Sequence, residues 1–150
     1  MLLQGISAAL ASLGFALLFN IRGDKLVSAA IIGGFGGLAY YLSLDYYHST
    51  VTALFIASIV ISILSEIFAR IQKCPVTTFL LCALIPLVPG GGMYYTMLEI
   101  VRNHIDGAIS MGISTLIQAF SIVVGCMLIS SFLRLLNQLK SKHNTRDDTK

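Results

Sequence analysis

The sequence predicts an all-α integral membrane protein with about five transmembrane helices, the fourth broken at a Pro/Gly motif. Hydrophobic residues make up 56% of its 150 residues and charged residues only 11%, with a mean hydropathy of +0.84, outside the range of soluble domains. Its charged residues bracket five stretches of about 19 residues or more, and such lengths span a hydrocarbon core of about 30 Å. The stretches are residues 1–21, 26–44, 46–65, 74–98 and 107–133.

The first two predicted helices carry small residues suited to close helix contact. No basic segment precedes the first apolar run, so we expect a retained membrane helix rather than a cleaved signal peptide. In the second helix, Gly33 and Gly37 form a GxxxG pattern that lets two backbones approach. A plain helix contact is one interpretation of this pattern, and the lining of a pathway is the other.

Four tyrosines cluster where the second predicted helix leaves the membrane: Tyr40, Tyr41, Tyr46 and Tyr47. Phenol rings favour the headgroup level because one end is apolar and the other polar. We therefore predict a membrane interface at this cluster.

The third predicted helix has a mildly polar face that we expect to point into the bundle. Ser58, Ser62 and Ser65 are spaced by four and three residues, so they share one side of the helix, with Glu66 beside them. Glu66 precedes Arg70 by four residues, the favourable order for an exposed ion pair. The alternative role for Glu66 is in proton coupling or substrate passage.

The fourth stretch contains, in its middle, the residues least able to continue a helix: Pro86, Pro89, Gly90, Gly91 and Gly92. A break at membrane depth is tolerated only inside protein or along a wet cavity. A half-helix beginning near Gly91 would offer N–H groups and a partial positive charge to a carboxylate. The break therefore predicts a binding site, and the alternative is a kinked helix shaped to fit its neighbours.

Polar residues beyond the break complete the predicted site. The fifth helix carries small and polar residues at spacings of three and four, with Gln118 near its centre. Glu99 lies in a polar loop, where it is either solvated or gates an exit, and with Glu66 it is our candidate for coupling or gating. The predicted substrate pathway, facing Gln118 or the serine faces, consists of Pro86, Pro89, Gly90, Gly91, Gly92, Tyr94 and Thr96.

Basic residues predict the orientation in the cytoplasmic (inner) membrane. With five crossings, nine of the ten Lys and Arg residues lie on one side; a re-entrant fourth stretch would divide them five to five. The positive-inside rule thus favours five crossings, with the N-terminus outside and the C-terminus cytoplasmic. We expect a transmembrane domain over residues 1–133 and a basic cytoplasmic tail without fixed structure over residues 134–150.

Catalytic and metal motifs are missing from the sequence. The three histidines show no metal-ligand spacing, no serine lies in a GxSxG turn, and residues 90–92 are not followed by Lys-Ser or Lys-Thr. We therefore predict no enzyme activity, no metal, no cofactor and no nucleic-acid partner.

The fourth stretch also resembles a known family. The run PVTT at residues 75–78, the run IPLVPGGG at residues 85–92, and Tyr94-Tyr95 resemble the second, wholly membrane-embedded half of the threonine/serine exporter family. The two halves of that family occur fused or as separate proteins, and this chain is similar to the small component of the split form. The resemblance implies export of threonine and serine, or of dicarboxylates such as succinate, together with a larger membrane subunit.

The predicted function is therefore that of a membrane subunit of a secondary exporter for small carboxylate-bearing metabolites. Its Gly-rich and Ser-rich faces independently predict a homo- or hetero-oligomer. The competing hypothesis is an assembly or regulatory membrane subunit that does not itself transport. A passive channel is a third alternative.

Overall fold

A computed structural model describes residues 2–147 of the chain. Within that range the chain is helical and contains no strand, so the predicted all-α class is confirmed. The α-helices are α1 (Leu2–Leu18), α2 (Asp24–Tyr47), α3 (Thr50–Ile71), α4 (Val76–Leu84), α5 (Gly90–Val101) and α6 (Ile105–Asp147), and a short 3-10 helix, Ile85–Leu87, follows α4.

Among the described residues, three helices are long and apolar enough to cross a membrane alone: α2, α3 and the Ile105–Leu135 part of α6. The bent pair Val76–Leu87 and Gly90–Val101 makes a fourth candidate if it forms one span. At 17 residues, α1 is shorter and reaches about 26 Å, a little less than a hydrocarbon core. The chain is thus a multi-pass membrane protein, and the count of five crossings stays a prediction.

The last helix is longer than expected. It continues past Leu133 to Asp147, through a segment that we expected to lack fixed structure. Residues 134–147 contain no glycine or proline, and their Leu, Lys, Arg and Gln residues favour a helix. The apolar part of α6 ends near Leu135, so the remainder is a polar extension of the span. Asp148, Thr149 and Lys150 lie outside the described residues.

Three interhelical turns share one geometry. Asn20, Lys73 and Asn103 have left-handed backbones, with φ of 57°, 48° and 60°. After each of them, the next N–H donates to a carbonyl five residues earlier at 3.0 Å, as from Ile21 to Ala16. This is the Schellman arrangement, which satisfies the last carbonyls of a helix. Because the turns are short, consecutive helices lie side by side.

The glycines of α2 bring it into close contact with α1. A methyl group added at Gly33 would collide with the Ser12 side chain, and one at Gly37 would collide with Ala8. The predicted close contact through the GxxxG pattern is confirmed. Small residues on both helices let the backbones approach where lipid provides no hydrophobic driving force.

The buried apolar core occupies one half of the bundle. Most of its residues come from the C-terminal half of α1, the N-terminal half of α2, the C-terminal half of α3 and α4, which meet at the same end of the molecule. Its fully buried members include Ala16, Ala29, Ile32, Ile61, Phe79 and Cys82.

The serine face of α3 is also buried, as predicted. Ser58 and Ser65 have no exposed surface and Ser62 has 4%. Ser62 donates to the carbonyl of Ser58 at 2.7 Å, and Ser58 lies against Gly125 of α6. The serines thus let α3 and α6 approach closely within the bundle.

The α1–α2 contact can be tested with two alanine substitutions. We expect Gly33→Ala to lower the free energy of unfolding by about 1–3 kcal/mol, because the added methyl group must displace Ser12. Gly14→Ala is the control, since a methyl group there meets nothing within 4 Å, and it should be neutral or slightly stabilising. Thermal unfolding in detergent measures both. Equal midpoints for the two variants would contradict the contact.

Candidate functional site

The fourth predicted helix is broken where the sequence indicated. After the 3-10 helix, Val88 is extended (φ −57°, ψ 132°) and Pro89 takes φ −73°, ψ 61°. The Gly90 N–H donates to the Val88 carbonyl at 2.7 Å, which makes an inverse γ-turn centred on Pro89. Helix α5 begins at Gly90, and the two segments are bent by 47°.

The size of this bend matters for the path of the chain. A re-entrant loop must reverse direction, whereas a 47° bend keeps α5 moving in the same general direction as α4. Each segment has 12 residues, or about 18 Å of helix. The bend is therefore smaller than a reversal of the chain, and a single crossing by this segment stays a prediction.

The two halves of the broken helix have different surroundings. Helix α4 contacts α1, α2 and α3, and its Phe79, Cys82 and Ala83 are fully buried. Helix α5 contacts chiefly α6 and has no buried residue. The break is therefore where the chain leaves the core.

A cavity of about 490 Å³ lies beside the break. It is bounded by α1, α2 and the start of α3 on one side and by the break and α6 on the other. Six of the predicted pathway residues line it: Pro86, Pro89, Gly90, Gly91, Gly92 and Gln118. The tertiary structure thus brings Gln118 of α6 to the same space as the Pro/Gly motif.

Other lining residues lie on helix faces that were not predicted from the sequence to belong to the site. On α1 these are Gln4, Ser7, Ala8 and Ala11, whose spacing of three, one and three residues places them on one helix face. This face of small and polar residues is the pattern in the sequence from which their place in the cavity could have been predicted. Thr50, at the start of α3, also lines the cavity.

The tyrosines of α2 divide between two environments. Tyr40 and Tyr41 line the cavity with Gly37, and their rings meet edge to face at 5.1 Å. Tyr46 and Tyr47 are 78% and 55% exposed. The membrane interface at this cluster stays a prediction, and i, i+3, i+4 spacing turns the first pair towards the cavity with Gly37.

Two predicted pathway residues of α5 do not line the cavity. Tyr94 is 63% exposed and meets Tyr95 at 5.4 Å. The Thr96 hydroxyl donates to the Gly92 carbonyl at 2.7 Å, and its methyl group lies 3.4 Å from the place of a methyl group added at Gly112. Thr96 thus faces α6.

The acidic candidates for coupling or gating also lie away from the cavity. Glu66 forms the ion pair with Arg70, at 2.9 Å, that its spacing indicated. Glu99 contacts His104 Nδ1 at 3.1 Å and Arg102 Nη1 at 3.8 Å. One oxygen of Glu99 would also lie 2.9 Å from a methyl group on Gly107, so this side chain organises the turn between α5 and α6.

The three consecutive glycines have different surroundings. A methyl group added at Gly92 would collide with the Thr115 side chain, whereas one at Gly90 or Gly91 would meet nothing within 4 Å. Close helix contact therefore accounts for Gly92 but not for its two neighbours. Gly90 and Gly91 leave the backbone at the start of α5 open to the cavity.

The electrostatics of the cavity follow from its lining. Its side-chain polar groups within the described residues are the amides of Gln4 and Gln118 and hydroxyls of Ser, Thr and Tyr, without a charged group. The N–H of Gly91 is a first-turn donor, which has no partner within its own helix. The start of α5 carries the partial positive charge of the helix dipole. Together these features suit a small polar anion.

The cavity also lies towards one end of the bundle. Its walls come from the N-terminal parts of α1 and α3 and the C-terminal part of α2, while the core residues of α1 and α2 lie towards the opposite ends of those two helices. A second cavity of about 330 Å³ adjoins it, shares Gln4 and Tyr41, and reaches Asp45 and His48. The space thus continues from the break towards the end of the bundle where α1 begins, and the core residues Leu54 and Leu87 form part of its wall.

Comparison with known proteins identifies the family to which this chain belongs. The family model described as "Threonine/Serine exporter, ThrE" matches residues 4–132, which include nearly all of α1, the whole of α2 to α5 and most of the apolar part of α6. The chain belongs to this threonine/serine exporter family, a family of transporters rather than enzymes.

An uncharacterized protein of Haemophilus influenzae (strain ATCC 51907 / DSM 11121 / KW20 / Rd) is 32% identical over 97 residues. These residues cover 65% of this chain and 33% of that protein, so the matched region is about a third of the relative's length. No solved structure matches the chain.

The different surroundings of the glycines predict different responses to alanine. Gly92→Ala should lower the unfolding free energy by about 1–3 kcal/mol because of the collision with Thr115, whereas Gly91→Ala should not lower it. Adding Thr115→Ala to Gly92→Ala should recover much of the loss, with a coupling energy of about 0.5–3 kcal/mol. Thermal unfolding of the four variants, including Thr115→Ala alone, gives this energy. Additive effects would show that Gly92 does not contact Thr115.

Proposed function

We propose that this protein is a membrane subunit of a secondary exporter that moves small carboxylate-bearing metabolites out of the cell. Threonine or serine is the first choice of substrate and a dicarboxylate such as succinate the second. The observation that carries the proposal is the uncharged cavity beside the start of α5, where Gly90 and Gly91 leave the backbone open. Membership of the exporter family supports it.

The cavity suits a small organic acid in size and chemistry. A volume of about 490 Å³ lies within the usual range of small-molecule sites, about 300–1,000 Å³. A carboxylate at the start of α5 accepts from the Gly91 N–H and interacts favourably with the helix dipole. The side chains of Gln4 and Ser7 on α1 and of Gln118 on α6, which line the cavity, bind the substrate's hydroxyl or ammonium group.

The one-sided shape of the cavity suits alternating access. With the N-terminus outside, the cavity faces the exterior, and the apolar core closes the path from the cytoplasm. Secondary transporters commonly place such sites at discontinuous helices and open one side at a time. The break between α4 and α5 is the natural hinge, because α4 is held in the core while α5 contacts chiefly α6. An ion gradient supplies the energy.

The surface of α5 and α6 supports a role for a larger partner subunit. None of the α5 residues is buried, and Ser110 of α6 is exposed within its apolar span. Lipid tails offer such hydroxyls no hydrogen bonds, whereas a neighbouring membrane helix does. The length of the Haemophilus relative, about three times the matched region, is consistent with further protein beside this chain.

Substitution of Gly91 tests the transport role. Gly91→Leu should reduce threonine or serine export by at least about tenfold, equivalent to ~1.4 kcal/mol, because the side chain fills the cavity. Gly14→Leu is the matched control, since it also adds leucine where nothing lies within 4 Å. Export from cells that also express the larger subunit is measured against the amount of protein in the membrane.

Three outcomes separate the hypotheses. Loss of export with normal membrane levels and partner binding supports the transport role. Normal export by Gly91→Leu, or a loss of export and assembly together, favours an assembly or regulatory subunit. An export rate that does not depend on the proton gradient or on the sodium gradient indicates a passive channel.

Cysteine labelling tests the orientation of the cavity. In a variant without the three native cysteines, Ser7→Cys should react with a membrane-impermeant thiol reagent added outside the cell, and excess threonine should slow the reaction. Ser65→Cys, at a fully buried position, should not react. Labelling of Ser7→Cys only from the cytoplasmic side would reverse the proposed orientation.

A further inference from the structure

The adjoining cavity brings an ionisable pair to the mouth of the proposed pathway. Asp45 and His48 line it together with Leu44, and Gln4 and Tyr41 form a wall common to both cavities. Both ionisable residues are exposed and lie at the C-terminal end of α2. A substrate that moves between the break and this end of the bundle therefore passes close to Asp45.

The carboxylate of Asp45 differs from every group lining the inner cavity. Within the described part of the chain, the inner lining carries no charged side chain, so Asp45 is the first full negative charge on the path. The other titratable groups that line this mouth are His48 and Tyr41. Asp45 forms no ion pair among the described residues, so its charge is not neutralised by a neighbouring cation.

We propose that Asp45 is a charge filter at the mouth of the cavity, which favours substrates carrying an ammonium group over dicarboxylates. This inference rests on the proposed export function and selects between its two substrate classes. A zwitterionic amino acid has no net charge, and its ammonium group is attracted to Asp45. A dicarboxylate has two negative charges, and Asp45 repels both.

The expected size of the effect follows from Coulomb's law. We consider two unit charges several ångströms apart, at a dielectric constant between those of water and protein. Their interaction changes the equilibrium constant for substrate binding by about fivefold. Salt weakens it, because the Debye length is only about 10 Å at 0.1 M. The filter should therefore be strongest at low ionic strength.

Substitution of Asp45 tests the filter directly. The full-length protein in lipid nanodiscs, with its larger subunit where assembly requires it, is equilibrated with labelled L-threonine and competing succinate at low salt. Asp45→Asn should raise the affinity for succinate relative to threonine by about fivefold, and Asp45→Glu should restore the original preference. The change should shrink at high salt.

A matched acidic residue provides the control. Asp106 is also exposed, at the start of α6, but lines neither cavity. Asp106→Asn should therefore leave the preference unchanged, and thermal unfolding checks that each variant is folded.

Two negative outcomes have different meanings. If Asp45→Asn binds threonine and keeps the wild-type preference, the filter is wrong and the export proposal stands. If the wild-type protein binds neither threonine nor succinate, the proposed function fails and the filter fails with it.

Discussion

A helix broken at membrane depth must find partners for the backbone groups that it frees, and this constraint explains most of the structure around residues 85–92. The hydrocarbon region offers neither water nor donors, so the break can persist only against protein or a wet cavity. Here the break lies against α1 and beside a cavity. The Pro89 turn uses the Gly90 N–H internally at 2.7 Å, and the start of α5 opens onto a cavity with polar walls. Architecture and site thus follow from one requirement.

Small residues serve two physical purposes in this chain. Gly33, Gly37, Gly92 and Gly125 stand where a methyl group would collide with a neighbouring helix, so they permit close contact. Gly90 and Gly91 have open space instead, which leaves backbone donors accessible. A sequence contains only the letter G at all these positions, and the neighbouring helix decides which purpose each glycine serves.

The two halves of the broken helix are packed differently. Helix α4 belongs to the core, with Phe79 and Cys82 fully buried, whereas α5 contacts chiefly α6. The face of α5 towards α6 contains Gly92 and Thr96, with Glu99 at its far end. This explains why Thr96, predicted for the pathway, faces away from the cavity.

The amino-acid sequence by itself determined the membrane class, the all-α architecture, the position of the break and the family. These follow from one-dimensional properties: long uncharged stretches, Pro and Gly in the middle of one of them, and a motif around residues 85–92. The inward serine face of α3 and the Glu66–Arg70 ion pair also follow, because i, i+3 and i+4 spacing fixes which residues share a helix face.

Only the tertiary structure decided which faces meet. It brought Gln118 to the break, turned Tyr40 and Tyr41 inward, and added Gln4 and Ser7 of α1 to the cavity. Helical periodicity gives the relative directions of side chains on one helix but not the rotation of that helix against its neighbours. That rotation is set by contacts between distant residues, such as Ser12 with Gly33 and Thr115 with Gly92, and so it appears only in the folded chain.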